Sequence, residues 1–298
     1  MKVGITCGDP AGIGPEIVEA ALESSLLPQG VDYVVIGSSD AFAPGKPGLA
    51  SAQHALEALQ EAVTLARSGE IQAVVTGPVS KKWLHETGFA FPGQTEFFAD
   101  RCGVNNFAMC LTGGKITVAL ATAHIPLVDV SRILTRSGIV RVGQLLARFL
   151  LRRGVRHPRI AVAGLNPHAG EDGDLGSEEI EIIAPAIESL HGSLNAAVEI
   201  SGPYSADTVF HRVLQGEFDA VLCMYHDQGL IPLKLQAFDE GVNITLGLPF
   251  PRTSPDHGTA FEIAGKGIAR PASMIAAIRL ACELAAPSFA GVTSSVSA

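Results

Sequence analysis

The chain has 298 residues, 47% apolar and 17% charged, a balance that excludes a disordered or fibrous protein. It is long enough for two compact lobes, or for one large α/β unit with a deep cleft. Lys and Arg number 21 against 30 Asp and Glu, so the net charge is −9, the wrong sign for a nucleic-acid backbone or an anionic membrane as partner. Any anionic ligand must therefore meet a local basic pocket.

The first eight residues read as a strand running into a Gly-rich turn, without the basic and apolar segments of an export signal. No stretch reaches bilayer-spanning length, so a cytoplasmic protein is expected. In the loop that follows, Gly12-x-Gly14 lies between a strand and a helix. Ile17, however, stands where a dinucleotide fingerprint needs a third small residue, and Pro15 suits a first helical turn. The loop is read as a backbone wall of a cleft, with a plain strand-to-helix turn equally open. Onward, β-branched runs at 31–36, 71–75, 159–163 and 220–223 alternate with amphipathic segments at 52–67, 177–190 and 274–285. Residues 107–111 and 116–121, separated by Thr112-Gly113-Gly114-Lys115, predict a hairpin. Residues 286–298, rich in Ala and Ser, predict a frayed tail. The alternation predicts an α/β fold with mostly parallel strands. Gly/Pro-rich loops at 8–15, 76–81, 164–176 and 247–258 follow the strands, at the sheet edge where such folds bind ligands. The five cysteines, odd in number and never in a Cys-x-x-Cys pair, suggest reduced thiols rather than disulfides or a thiolate zinc site.

Three histidines, His124, His168 and His226, each sit in a loop after a predicted strand. Singly each would be structural, but three in equivalent positions point to a divalent-metal site with open coordination. Imidazole donors suit zinc or cobalt better than calcium. Lys234 and Arg252 are isolated cations in apolar, Gly/Pro-rich surroundings. Arg offers a planar fork to phosphate or carboxylate, and Lys a compact charge that also carries protons. Thr95 and Asn243 are neutral partners for the same ligand. The run from Asp256 to Ala269 is rich in small residues that let a ligand approach the backbone. Within it Glu262 stands where a carboxylate accepts from a ribose hydroxyl and repels a 2′-phosphate. A Gly-rich lead into a helix is the bland reading of the same run.

The segments Gly8-Asp9-Pro10-Ala11-Gly12-Ile13-Gly14-Pro15-Glu16, Thr76-Gly77-Pro78-Val79-Ser80-Lys81, Gly93-Gln94-Thr95-Glu96, Asn166-Pro167-His168-Ala169-Gly170-Glu171, Ala206-Asp207-Thr208, Tyr225-His226-Asp227-Gln228-Gly229 and Arg252-Thr253-Ser254 occur in this order along nearly the whole chain. Together they resemble the 4-hydroxythreonine-4-phosphate dehydrogenase family of vitamin B6 biosynthesis. The resemblance implies metal ligands at His124, His168 and His226, with zinc, cobalt or magnesium as the ion, and an obligate homodimer in which His226 comes from the other subunit. It implies substrate contacts at Gln94, Thr95, Lys234, Asn243 and Arg252, with Lys234 and Asp207 as candidates for proton transfer.

The run around His257 resembles the nicotinamide loop of isocitrate and isopropylmalate dehydrogenases. That implies NAD, with NADP as the alternative, bound by His257, Gly258, Thr259 and Glu262. It also implies that fold, two α/β/α lobes with the active site between them: residues 1–92 with 247–298, carrying the cofactor loop, and 93–246, carrying the metal-site loops and dimer interface. The activity implied is oxidation of 4-phosphooxy-L-threonine and its decarboxylation to 3-amino-2-oxopropyl phosphate. Gln94 departs from the family, which usually has His there, and the stretch at 41–50 is short. A 4-phosphoerythronate or 4-phosphothreonate dehydrogenase of the same fold stays open, and so does a metal-dependent phosphohydrolase.

Overall fold

The computed structural model describes residues 1–37 and 41–286, so nearly all of the expected tail, 287–298, lies outside the described residues. In chain order the elements are β1 (Lys2–Thr6), α1 (Gly14–Leu22), β2 (Asp32–Ile36), α2 (Leu49–Ser68), β3 (Ala73–Thr76), α3 (Lys81–Glu86), α4 (Gln94–Arg101), β4 (Ala108–Gly113) and β5 (Ile116–Leu120). The second half comprises α5 (Val130–Ile133), α6 (Arg136–Arg152), β6 (Arg159–Ala163), α7 (Ala184–Ser193), β7 (Glu199–Tyr204), α8 (Ala206–Leu214), β8 (Ala220–Cys223), α9 (His226–Ala237), β9 (Val242–Leu246), β10 (Arg252–Pro255) and α10 (Ala272–Ala285).

Local sequence accounts for most of these. In α2 the buried residues Ala52, Ala55, Leu56, Leu59, Ala62, Val63 and Ala66 recur at helical spacing, and Gly69 closes the helix at φ 80°. Thr135 caps α6 by accepting from the Gly138 N–H. At the start of α1, Gly14 is required by close approach, since a Cβ there would lie 1.8 Å from the Cys7 carbonyl oxygen.

One ten-stranded sheet runs in the order β2-β1-β3-β10-β9-β4-β5-β8-β6-β7. It is parallel except at its centre, where β10–β9, β9–β4 and β4–β5 pair antiparallel. The predicted hairpin is β4–β5, with Gly113 opposite Ile116. Residues 247–258, expected as loop, contain β10: its ladder to β3 and β9 is non-local and leaves no alternation in four residues. On one face a continuous core, from Val3 and Ile17 through Ile139, Leu146 and Leu190 to Ile278, spans both ends of the sheet. The opposite face carries two separate clusters. One, beneath α2, α3 and α4, holds Leu59, Phe89, Phe97, Phe98 and Phe250; the other, beneath α8 and α9, holds Leu111, Val118, Val209, Phe210 and Leu233. The gap between them lies over the antiparallel centre. The phenylalanines of α4 pack with the first cluster, beyond residue 92 where the first lobe was expected to end. No helix among the described residues is long and apolar enough to cross a membrane.

Candidate active site

The gap over the sheet's centre is a cleft of about 500 Å³. Strand alternation supplies its floor. Val242, Ile244 and Leu246 of β9 face the continuous core, and the Thr253 hydroxyl turns to Ala277, which leaves Asn243 and Thr245 of β9 and Arg252 and Ser254 of β10 on the cleft side with Met109 of β4. Arg252 is 3% exposed. Its Nη1 donates to the Thr245 hydroxyl at 3.2 Å, and its Nη2 donates to the Thr76 hydroxyl and, at 2.9 Å, to Gln94 Oε1. The guanidinium lies 5.5 Å over the Phe98 ring, and its Nε is buried without a partner. Burial pushes the pKa of this group below the ordinary arginine value while nearby Glu96 raises it, and the group stays cationic at neutral pH. A buried cation bonded only to neutral oxygens, with one orphaned N–H, is completed by an anionic ligand.

Gln94 also donates Nε2 to the Gly77 carbonyl at 3.3 Å, so its amide bridges the loop after β3 to Arg252. The Thr95 hydroxyl lies 3.3 Å from that of Thr245. Asn243 lines the cleft with Oδ1 buried and unpartnered. Lys234 Nζ lies 3.1 Å from Asp256 Oδ2 at the edge of the cleft. The five expected substrate contacts are thus brought together.

The three histidines are not. His124 and His226 share the cleft with ring centroids 5.6 Å apart, and His226 Nδ1 meets Asp227 Oδ1 at 2.6 Å, which leaves Nε2 to face a ligand. Partial burial, with Lys81 and His226 adding to it, pushes His124 below the ordinary histidine range, against Glu96, which raises it. Two imidazoles with one ring fixed by a carboxylate are a fit donor pair for a zinc-like ion. No group of three such donors occurs among the described residues. The expected donor that stands apart is His168, whose side chain is 62% exposed and meets only Glu171, at 3.2 Å; His226, expected from the other subunit, is in the same cleft as His124. Asp207 is likewise outside the cleft, exposed on the first turn of α8 with the Ser205 hydroxyl donating to it at 2.6 Å. Sequence spacing cannot tell which side of a chain a loop presents.

Of the expected cofactor residues, His257 and Gly258 line the cleft, while Thr259 and the exposed Glu262 continue away from it. His257 Nε2 is buried without a partner, and burial pushes this ring below the ordinary histidine range too. The Gly-rich first loop does not wall the cleft; the residues from Thr76 to Val79 do. Instead it buttresses the expected cofactor loop from behind: the Ile13 N–H donates to the Thr259 carbonyl at 2.9 Å, and Glu16 Oε2 accepts from Gly265 and Gly267 N–H at 3.2 and 3.4 Å. The short stretch before α2 joins this contact, with the Gly45 N–H on the Ala11 carbonyl at 2.8 Å. Lys81, Glu96, Asp227 and Asp256 also line the cleft. All four lie inside runs that sequence reading singled out, but nothing in those runs showed which side chains turn inward.

Residues 16–281 match the family described as pyridoxal phosphate biosynthetic protein PdxA. The chain belongs to this family. It is 42% identical to 4-hydroxythreonine-4-phosphate dehydrogenase of Caulobacter vibrioides, over 95% of this chain and 97% of the relative. It is 41% identical to D-threonate 4-phosphate dehydrogenase of Pectobacterium atrosepticum, over 95% and 99%. The crystal structure of 4-hydroxythreonine-4-phosphate dehydrogenase from Klebsiella pneumoniae, 38% identical, superposes with a TM-score of 0.80 over 96% of this chain and 99% of that one. An isocitrate dehydrogenase from Methylococcus capsulatus, 19% identical, shares the fold at a TM-score of 0.52 over 95% of this chain and 85% of that one. The expected fold class is therefore the observed one.

Proposed function

We propose that this chain is an NAD-dependent dehydrogenase that oxidises 4-phosphooxy-L-threonine, with decarboxylation to 3-amino-2-oxopropyl phosphate, in pyridoxal 5′-phosphate biosynthesis. The observation that carries the reading is Arg252: a buried, incompletely bonded cation on the floor of a cleft that also holds two imidazoles, in a member of this family. Arg252, with Thr95 and Gln94 beside it, holds an anionic end of the substrate. A divalent ion held by His124, His226 and the His168 of a second copy would supply a Lewis acid at the substrate hydroxyl. NAD, against His257 and Gly258, would supply the hydride acceptor. A ketone β to a carboxylate loses carbon dioxide readily, and the carbon left behind needs a proton. Lys234, oriented by Asp256, is the group on this chain that can deliver it.

A homodimer follows from the same reading. His168 and Asp207, the expected metal donor and proton-transfer group that lie outside their own cleft, are on neighbouring segments, the 167–173 turn packing on α8. Ile231, Leu235 and Phe238 are 60%, 84% and 67% exposed along one side of α9, beside the cleft. An apolar stripe of this kind is what a second copy would cover.

The second reading, a 4-phosphothreonate or 4-phosphoerythronate dehydrogenase, is favoured by one observation. Gln94, where the family usually has His, is a neutral amide committed to Arg252 and Gly77. NADH formation from the amino and hydroxy acids, with and without chelator, decides. The first reading expects chelator-sensitive NADH formation with a preference for the amino acid. A large preference for the hydroxy acid gives the second, and phosphate release without NADH would sink both in favour of a hydrolase.

A further inference from the structure

The turn that carries His168 is the longest run of left-handed backbone among the described residues. His168, Ala169, Gly170, Glu171 and Asp172 have φ of 52°, 54°, 82°, 44° and 56°, and four of the five have a side chain that disfavours this conformation. The turn's own side chains do not hold it, since His168 and Glu171 are exposed and meet only each other. A carboxylate outside it bonds the two residues that lead into it.

Glu179, 3% exposed, follows the turn in the chain. Its Oε1 accepts from the backbone N–H of Leu165 at 2.6 Å and of Asn166 at 2.8 Å, and its Oε2 accepts from Asn166 Nδ2 at 2.9 Å. Asn166 Nδ2 donates as well to Glu178 Oε2 at 2.7 Å. Packing around the carboxylate is tight: a Cβ on Gly170 would sit 2.8 Å from Glu179 Oε2, and one on Gly164 would sit 3.0 Å from Oε1. On the other side Gln228, 7% exposed, donates Nε2 to the Gly164 carbonyl at 2.6 Å and accepts from the Met224 N–H at 2.7 Å. The anchorage therefore continues into the first turn of α9, where His226 lies.

We propose that Glu179 is the positioning residue for His168, fixing the left-handed turn in the one conformation that presents this imidazole outward from its own chain. The proposal rests on the reading of His168 as a metal donor. Every group Glu179 meets is a donor, so a carboxylate is required. An amide would offer one acceptor oxygen and turn its NH₂ against a second donor.

The test is Co²⁺ and Zn²⁺ binding by the purified full-length Glu179→Gln protein, by equilibrium dialysis and by the visible spectrum of bound Co²⁺, with thermal unfolding measured alongside. The expected result is metal affinity weakened about tenfold with an altered Co²⁺ spectrum, while His168→Ala loses more, as for loss of a donor. If Glu179→Gln lowered only the thermal midpoint and kept wild-type affinity and spectrum, the role would be structural and the proposal overturned. If His168→Ala itself bound metal as the wild type does, the metal reading would fail and the proposal with it. Should Glu179→Gln not fold, Asn166→Ala removes the side-chain donor to Glu179 and Glu178 while leaving the carboxylate in place. It is expected to weaken metal binding in the same direction, and wild-type affinity there would equally overturn the proposal.

Discussion

At Arg252 a lysine would keep the charge and lose the planar fork, and with it the simultaneous bonds to Thr76, Thr245 and Gln94. Arg252→Lys is expected to lower kcat/KM for the phosphorylated substrate by roughly 30-fold, about 2 kcal/mol, with the loss mainly in KM. Steady-state kinetics check it, and an unchanged KM would mean that the anion is held elsewhere. The cysteines offer an independent test of burial. Cys110 and Cys223 are fully buried, and desolvation pushes both thiols far above their ordinary range, while Cys7 is pushed up to about 11. Burial raises the Cys102 thiol as well, so access decides the order, and iodoacetamide should label Cys102, the only cysteine not buried, first. Mass spectrometry of the native protein after brief exposure gives the order, and early labelling of Cys110 or Cys223 would contradict the packing.

Elements whose identity is written in local periodicity were readable. The helix at 52–67 and the strands at 31–36, 71–75, 159–163 and 220–223 fall inside or within two residues of α2, β2, β3, β6 and β8. Elements made by non-local pairing were not: β10 is four residues whose strand character comes only from β3 and β9 on either side. The first loop shows the same division. Ile17, on which its fingerprint was rejected, is buried in the core, but the loop's place behind the 256–269 run depends on where Thr259 returns, some 240 residues later. Gly14→Ala is expected to destabilise the fold by at least about 2 kcal/mol in urea unfolding, because the obstacle to a Cβ is backbone and not a side chain that can turn away. A loss below half of that would show that the start of α1 can shift.

For the whole molecule the decisive arrangement is the break in the core on one face of the sheet, since it is this break that leaves a polar floor of Asn243, Arg252 and Ser254 lining the cleft between two apolar clusters. The exposed stripe on α9 beside it gives two tests of the proposed dimer. Leu235→Glu is expected to convert it to monomer in sedimentation and to abolish turnover together with it. Mixing and refolding His168→Ala with His226→Ala should restore up to about a quarter of wild-type activity, because half the dimers are then mixed and each mixed dimer has one complete site. No recovery would mean that the three histidines do not come from two chains in this way.

The sequence alone determined the α/β class, the hairpin, the reduced cysteines and the residue types of the site, because periodicity, turn chemistry and short motifs are local. The floor of the cleft was legible in its parts, as Arg252, Asn243, Thr95 and Lys234, because an isolated cation or amide in an apolar run is itself unusual. Only the tertiary structure decided which of these side chains meet. It put His124 beside His226 and turned His168 outward on a left-handed turn, and it aimed Glu96 and Asp256 inward. Direction of that kind is set by strand order and by a buried carboxylate well along the chain from the residues it orients, and no local pattern carries it.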